Sequence, residues 1–387
     1  MMQPTAARVL DAESVDLYRD MVARLCADGF GKDHEAWERA GGMPAQVWRD
    51  AGEKGLLCVD LPEEAGGQGG SFLHAAVVIE ELAVRGISGP CYSFIVHSDI
   101  VTPYIHQYGS EAVRATWLPR LARGEAIGAI AMTEPDAGSD LKAIKTTARR
   151  DAGGDWIING AKTFITNGGI ADLIIVVAKT SPEKGARGVS LFAVDGSTPG
   201  VRRGRHLEKL GMRACDTAEL FFDDVRVPSA ALLGEVDQGF GYLMSQLPRE
   251  RLVIAIAALA TAESVLRQTV DYVKQRKVFG RALAEFQNTS FTLAEFHAQT
   301  VVARTFLDDC TQRQARGQLD TVTAAIAKQQ LTELLGKVVD ACVQLHGGYG
   351  YMWEQPVTRA YADARVLRIF GGANEVMKEI VSRQLLA

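Results

Sequence analysis

Apolar positions return in three different rhythms along this chain. In the first third the spacing is helical: Leu17, Met21, Val22 and Leu25 fall on one face, as do Val77, Val78 and Leu82. Pro44, Pro62, Pro90 and Pro103 mark the predicted breaks between these helices. Between 126 and 240 the rhythm shortens. β-rich runs at 156–158, 164–166, 173–177, 189–194 and 220–222 are separated by glycines, and Asn159-Gly160 and Asn167-Gly168 supply turn signals. This predicts a small antiparallel β-domain, not a set of βαβ units. From Arg249 to His346 there is no proline, and the only glycines are Gly280, Gly317 and Gly336. Ala, Gln, Leu and Glu dominate there, all good helix formers. Val265, Val270, Val273 and Val278 recur at steps of three to five, which suits long helices with one buried stripe, ending near Gly280 and Gly317. The expected class is α+β, mostly α: an N-terminal helical domain over 1–125, a β-domain over 126–235 and a C-terminal helical bundle over 236–387.

Composition narrows the function by exclusion. At 387 residues the chain is long enough for two or three domains with sizeable cores, so neither disulfide nor metal is needed to hold it. Its 42 Lys+Arg against 47 Asp+Glu give a net charge of −5, with no basic run suited to nucleic acid. The densest basic stretch, Arg202-Arg203-Gly204-Arg205-His206, reads as a solvated loop or strand edge. The six cysteines are scattered with no Cys-x-x-Cys pair, which suits reduced thiols. The longest unbroken apolar run, 252–260, is nine residues, well short of a membrane span, and no secretory signal is visible. The expectation is a soluble protein of a reducing compartment: the cytoplasm of a bacterium, or the mitochondrial matrix if a leader has been removed.

Three blocks carry candidate chemistry. Ala131-Met132-Thr133-Glu134-Pro135-Asp136-Ala137-Gly138-Ser139-Asp140 is a turn dense in hydroxyls and backbone N–H groups, able to cradle an anionic or heteroaromatic ligand, though such a turn alone is commonly structural. Lys162-Thr163-Phe164-Ile165-Thr166-Asn167 adds a ring and a hydroxyl on a predicted hairpin, where Phe164 alone would read as core. Gln344-Leu345-His346-Gly347-Gly348-Tyr349-Gly350-Tyr351 is glycine-rich but follows a helix, so a dinucleotide fingerprint is a poor reading. His346 has no second ligand at metal spacing and reads as a packed histidine.

Taken in order, these blocks resemble the acyl-CoA dehydrogenase family nearly from end to end. Ala131 to Asp140 is similar to the family's first signature, Gln344 to Asp363 (with Arg359) to its second, and Met43 to Gly70 to its N-terminal domain. The resemblance implies a helical domain, a β-domain and a C-terminal four-helix bundle, with FAD held between the last two. It further implies that Met132 and Thr133 line the flavin, that Phe164 packs on it and that Thr166 bonds near N5. Arg276 and Gln287 would reach the FAD of a neighbouring subunit, whose other contacts include Gln344, Gly347 and Gly348, so a homotetramer is implied. Ser139 would sit between cofactor and substrate, and Arg251 would contact the CoA ester. Electrons would pass to electron-transferring flavoprotein.

One departure decides the mechanism. The reaction needs a carboxylate base, and most members of the family carry it as Glu in a Tyr-Glu-Gly-Thr stretch near the C-terminus. The matching stretch here is Ile369-Phe370-Gly371-Gly372-Ala373-Asn374-Glu375, with glycine at the base position. Glu375 matches a cofactor-side position instead, and Ala373 replaces a more usual Thr there. Either the protein is catalytically dead or the base comes from elsewhere. Glu250, in Leu247-Pro248-Arg249-Glu250-Arg251-Leu252, falls where the long-chain and isovaleryl-CoA branches carry theirs. The bland reading of Glu250 is a surface carboxylate paired with Arg249 or Arg251. Pro248 is expected to kink the helix just before it. Gly371 and Gly372 would keep their backbone at the thioester, with the Gly371 amide as an oxyanion-hole donor. Local wording resembles the long-chain branch, which implies dehydrogenation of medium- or long-chain acyl-CoA to trans-2-enoyl-CoA. The rivals are a branched or carrier-protein-bound thioester, a non-catalytic FAD- or acyl-CoA-binding protein, and a flavin monooxygenase on the same fold.

Overall fold

The computed structural model describes residues 12–387. Seven helices come first: α1 (Ala12–Leu25), α2 (Gly31–Ala40), α3 (Ala45–Glu53), α4 (Phe72–Val84), α5 (Ser88–Phe94), α6 (Thr102–Tyr108) and α7 (Glu111–Ala122). The stripe expected on α1 is displaced. Val15 and Val22, seven residues apart, are buried, whereas Leu17 points outward and is 65% exposed. Leu17 lies about 200° round the helix from Val15, so one packing face cannot take both. Val77, Val78 and Leu82 are buried as expected.

Pro44 and Pro62 interrupt the helices, but Pro90 and Pro103 do not. They lie within one helical rod, in which α5 and α6 are joined by a π-helical stretch, Ile95–Val101. Pro103 cannot donate to the carbonyl of Asp99 four residues back. Arg249 does so instead, its Nε lying 3.1 Å from that oxygen. The His97 carbonyl keeps a backbone donor, the Thr102 N–H, and accepts from the Thr102 hydroxyl as well, at 2.9 Å. A side chain from α8 has taken over the acceptor that Pro103 frees, so the rod survives its proline.

The middle of the chain forms one sheet from β1 (Gly128–Ala131), β2 (Thr147–Arg150), β3 (Trp156–Thr166), β4 (Leu173–Lys179), β5 (Val189–Asp195), β6 (Val201–His206), β7 (Thr217–Val227) and β8 (Leu232–Leu233). The order is β6-β7-β3-β2-β4-β5-β8, with β1 beside β4. Pairing is mainly antiparallel, but β1 runs parallel to β4 and β2 touches β4 in parallel. Two of the expected runs are one strand: Asn159-Gly160 is not a turn but a bulge inside β3. A Cβ on Gly160 would lie 2.8 Å from the Cα of Thr146, so glycine is needed for close approach of the chain leading into β2. Asn167 does turn the chain, at φ +63°. The basic stretch is the exposed edge strand β6.

The C-terminal part contains α8 (Gly239–Gln275), a small hairpin of β9 (Lys277–Val278) and β10 (Arg281–Ala282), then α9 (Gln287–Ala315), α10 (Thr321–His346), α11 (Pro356–Ala364) and α12 (Asn374–Leu385). Val278 and Gly280 therefore belong to the hairpin, not to a helix end, and α8 stops at Gln275. Gly317 does follow a helix end, at φ +66°. α8 runs unbroken through Pro248 and is buried on every side from Leu252 to Ala260, because α4 packs on it as well as α9 and α10. A single buried stripe does not describe it. By length and composition α8 could cross a membrane, yet 72% of its apolar window is covered by the rest of the chain. All six cysteines are buried and free.

Candidate active site

The wall built from β1 and β3 is fixed by a buried ion pair. Thr163 N–H donates to the carbonyl of Thr133 at 2.9 Å, which lays Met132-Thr133 along the end of β3. Lys162 Nζ donates to the Met132 carbonyl at 3.1 Å and to Glu134 Oε1 at 2.8 Å. Glu134 also accepts from the backbone N–H of Thr146, at 3.0 Å. Burial draws Lys162 down to about 8 against the pull of Glu134, while burial of Glu134 is outweighed by Lys162 together with the backbone donors at Thr146 and Lys145, which hold it below the usual carboxylate range. The ends of β3 alternate: Thr163 and Ile165 are buried, whereas Phe164 and Thr166 face the other way. Phe164 sits at a bulge with φ +59° and its ring is 68% exposed. A bulky side chain in the left-handed region is costly unless something holds it there. Met132, Thr133, Phe164 and Thr166 are thus brought together, and Ser139 stands exposed on the loop beyond them.

A second group gathers on α8. Glu250 is buried at 6% exposure and is not a surface carboxylate. Arg249 turns away from it and binds Asp60 and Asp99, with Nη2 of Arg249 2.8 Å from Asp99 Oδ1. Among the described residues Glu250 has one hydrogen bond: Tyr104 Oη donates to its Oε1 at 2.8 Å. Burial pushes the Glu250 carboxyl up to about 7, against the opposing effects of Tyr104 and of Arg251. Arg251 is also buried, and its Nε and Nη1 have no partner among the described residues. Two unsatisfied guanidinium donors beside a buried carboxyl call for an anionic or carbonyl-bearing ligand.

The loop carrying Gly371 lies over the same face of α8. A Cβ on Gly371 would come within 2.3 Å of Ile254 Cδ1, and Ile254 is one helical turn beyond Glu250. Gly371 and Gly372 both have positive φ, +63° and +89°. The place where the family commonly carries its base is therefore filled by Ile254, with Glu250 beside it. Lys328 Nζ pins the loop by donating to the Gly372 carbonyl at 2.7 Å and to Asn374 Oδ1 at 2.9 Å. Phe370 packs against Tyr92, ring centres 5.9 Å apart. Ala373 precedes α12 and Glu375 lies exposed on its first turn.

The remaining candidates are elsewhere. Arg276 follows the end of α8, 26 residues beyond Glu250, which is about 39 Å along the helix at 1.5 Å per residue. There its guanidinium lies 6.0 Å from the ring centre of Tyr349. Gln344, Gly347 and Gly348, at the end of α10, are exposed, as is Gln287 at the start of α9. His346 is a packed histidine: its Nδ1 lies 2.8 Å from the Cys342 carbonyl and its ring stacks on Tyr272. One chain does not bring this second set to Glu250. The partners that sequence reasoning missed are Tyr104, the Lys162–Glu134 pair and the Lys328–Asn374 contact, each joining residues too distant for any spacing signal.

Models of the acyl-CoA dehydrogenase N-terminal, middle and C-terminal domains match residues 12–125, 129–225 and 237–386. The chain belongs to the acyl-CoA dehydrogenase family. It is 47% identical over 382 residues to the long-chain specific acyl-CoA dehydrogenase, mitochondrial, of Rattus norvegicus, covering 98% of this chain and 88% of that protein. The crystal structure of an acyl-CoA dehydrogenase from Geobacillus kaustophilus matches with a TM-score of 0.95 at 45% identity, over 98% of this chain and all of the other. A glutaryl-CoA dehydrogenase from Mycobacterium smegmatis in complex with FADH2 matches with a TM-score of 0.91 at 28% identity, covering 98% and 96%. This acyl-CoA dehydrogenase is an FAD-dependent oxidoreductase. Its residues fit the cofactor: an exposed ring held at positive φ, with threonines on either side, offers a flat group both a face and hydrogen bonds.

Proposed function

We propose that this enzyme converts medium- or long-chain saturated acyl-CoA to trans-2-enoyl-CoA, with Glu250 as the base and electron-transferring flavoprotein as the electron acceptor. The observation that carries the proposal is a buried carboxyl beside a glycine loop whose own base position is blocked by Ile254. When bound, FAD supplies the acceptor for the hydride that leaves the β-carbon. Met132, Thr133, Ser139, Phe164, Thr166, Ala373 and Glu375 would hold it from one subunit. Arg276, Gln287, Gln344, Gly347 and Gly348 would complete the site from a neighbour, in a homotetramer. The distance along α8 favours that division, since one chain cannot present both sets to one cofactor.

The proton chemistry belongs to the chain's own residues. Glu250 is most useful as a base when its pKa lies near the working pH, and burial brings it to about 7. The N–H of Gly371 forms no hydrogen bond among the described residues. It is free to polarise the thioester carbonyl and so acidify the α-carbon. Arg251 has spare donors for the CoA ester. Buried apolar neighbours, Leu252 to Ala260, exclude water from this face. The similarity to the rat long-chain enzyme supports the chain-length assignment. The setting proposed is the cytoplasm of a bacterium or, after processing, the mitochondrial matrix.

The test is anaerobic bleaching of the flavin by lauroyl-CoA in wild type and Glu250→Gln. Gln keeps the shape but cannot take a proton. Rapid bleaching in wild type and a loss of about 10³-fold or more in the variant is expected. Equal bleaching in both would assign the base elsewhere.

A further inference from the structure

Among the described residues Glu250 has one hydrogen-bond partner, and that partner is set by a series of contacts, not by a single chance approach. Four rungs join the π stretch and α6 to the first half of α8. Asp99 meets Arg249 at 2.8 Å, Tyr104 meets Glu250 at 2.8 Å and Gln107 meets Gln246 at 2.6 Å. Tyr108 closes the series: its hydroxyl lies 2.7 Å from Ser245 Oγ and its ring stacks on Tyr242 at 4.1 Å. From Tyr104 through Gln107 to Tyr108 the partners on α8 fall from Glu250 through Gln246 to Ser245, so α6 and this part of α8 run antiparallel with a fixed register, and the Asp99–Arg249 pair braces the π stretch beside them. Tyr104 is buried, and its ring centre lies 6.2 Å from that of Tyr108. Its hydroxyl has little freedom to leave Oε1.

The other oxygen of Glu250 is differently placed. Oε2 makes no hydrogen bond within the described residues, nor is it among the side-chain atoms sealed from solvent without a partner. It keeps a trace of exposure, although the residue as a whole is buried. We propose that Tyr104 is the positioning residue for the base: its hydroxyl holds Oε1 and leaves Oε2 as the oxygen that takes the substrate's α-proton. This inference rests on Glu250 being the base. In the step itself the C–H pair stays with the substrate as the C–C double bond forms, the proton goes to Oε2, and the β-hydride goes to FAD. Tyr104 gives up nothing.

A pH signature follows. A donor to a carboxylate favours its ionised form, so the Tyr104 hydroxyl opposes the burial that keeps Glu250 protonated. Other charged groups at this corner are few. Arg251, on α8 itself, acts on Glu250 at longer range, and Lys328 on α10 faces Arg251, with Glu375 on α12 beyond it. Arg249 is occupied by Asp60 in the preceding loop and Asp99 in the π stretch. Among the described residues Tyr104 alone bonds the carboxyl.

The experiment follows flavin reduction by lauroyl-CoA in single turnovers across pH, using FAD-loaded wild type, Tyr104→Phe, Glu250→Gln and a protein with 3-fluorotyrosine at 104. In Tyr104→Phe the acid limb should move upward by about 1 pH unit, and the limiting rate at high pH should stay a few-fold below wild type. The fluorinated residue keeps the ring and strengthens the donor, so its limb should move downward; it also keeps the test decisive if the Phe variant fails to fold. Unchanged limbs in both Tyr104 proteins, with Glu250→Gln inactive, would overturn the role of Tyr104 and leave the base in place. A Glu250→Gln enzyme as fast as wild type would overturn both.

Discussion

Burying a carboxyl has a cost in stability that Glu250 makes measurable. Glu250 has a pKa of about 7 when folded, above the ordinary glutamate value of 4.5. A carboxyl raised in this way contributes stability below its unfolded pKa, and that contribution is lost as pH rises through the folded one. At pH 8 the buried charge therefore destabilises the protein, and Glu250→Gln should be the more stable form by up to about 3 kcal/mol. The difference should shrink toward pH 5. Urea unfolding at the two pH values reads this directly, and a gain independent of pH would refute it. At Gly371 the expectation is opposite in sign. Gly371→Ala meets both positive φ and Ile254 Cδ1, so it should lower stability by more than about 1 kcal/mol. Ile254→Val should recover only part of that loss in a thermal melt, because φ is unchanged.

Among the elements, Arg249 does most to join the N-terminal helices to α8. It satisfies the carbonyl that Pro103 frees and balances Asp60 and Asp99, whose burial pushes the Asp99 carboxyl up to about 6. Arg249→Leu leaves two carboxylates without their cation and should cost about 3–5 kcal/mol in urea unfolding. A loss under about 1 kcal/mol would mean that the contact is incidental. Much of the element order was legible, because helical and strand rhythms differ in period and the glycine content changes between them. Most of what was not legible came from long-range contact. Asn159-Gly160 has the signature of a turn, but Thr146 packs on Gly160 and the strand continues. Pro103 has the signature of a break, but Arg249, 146 residues away, repairs it. Glu250 could be chosen as the base from Gly371 and its own position; Tyr104 could not, since nothing in the chain between them links the two.

For the whole molecule, the separation of Glu250 from Arg276 along α8 is the decisive dimension. With each FAD shared between subunits as proposed, Arg276→Ala should weaken cofactor retention while leaving the fold intact. Gel filtration followed by the flavin-to-protein absorbance ratio checks this, and full retention of FAD would count against a shared site. Sedimentation of the wild type should give a species four times the mass of the chain. The most direct test of the central claim separates proton removal from hydride transfer. A 3-thialauroyl-CoA has a sulfur at the β-position and no hydride to lose, so only its α-protons can move. In deuterated buffer the wild-type enzyme should wash deuterium into the α-carbon, and Glu250→Gln should do so about 10³-fold more slowly. Equal exchange in the two proteins would contradict the assignment of Glu250 as the base.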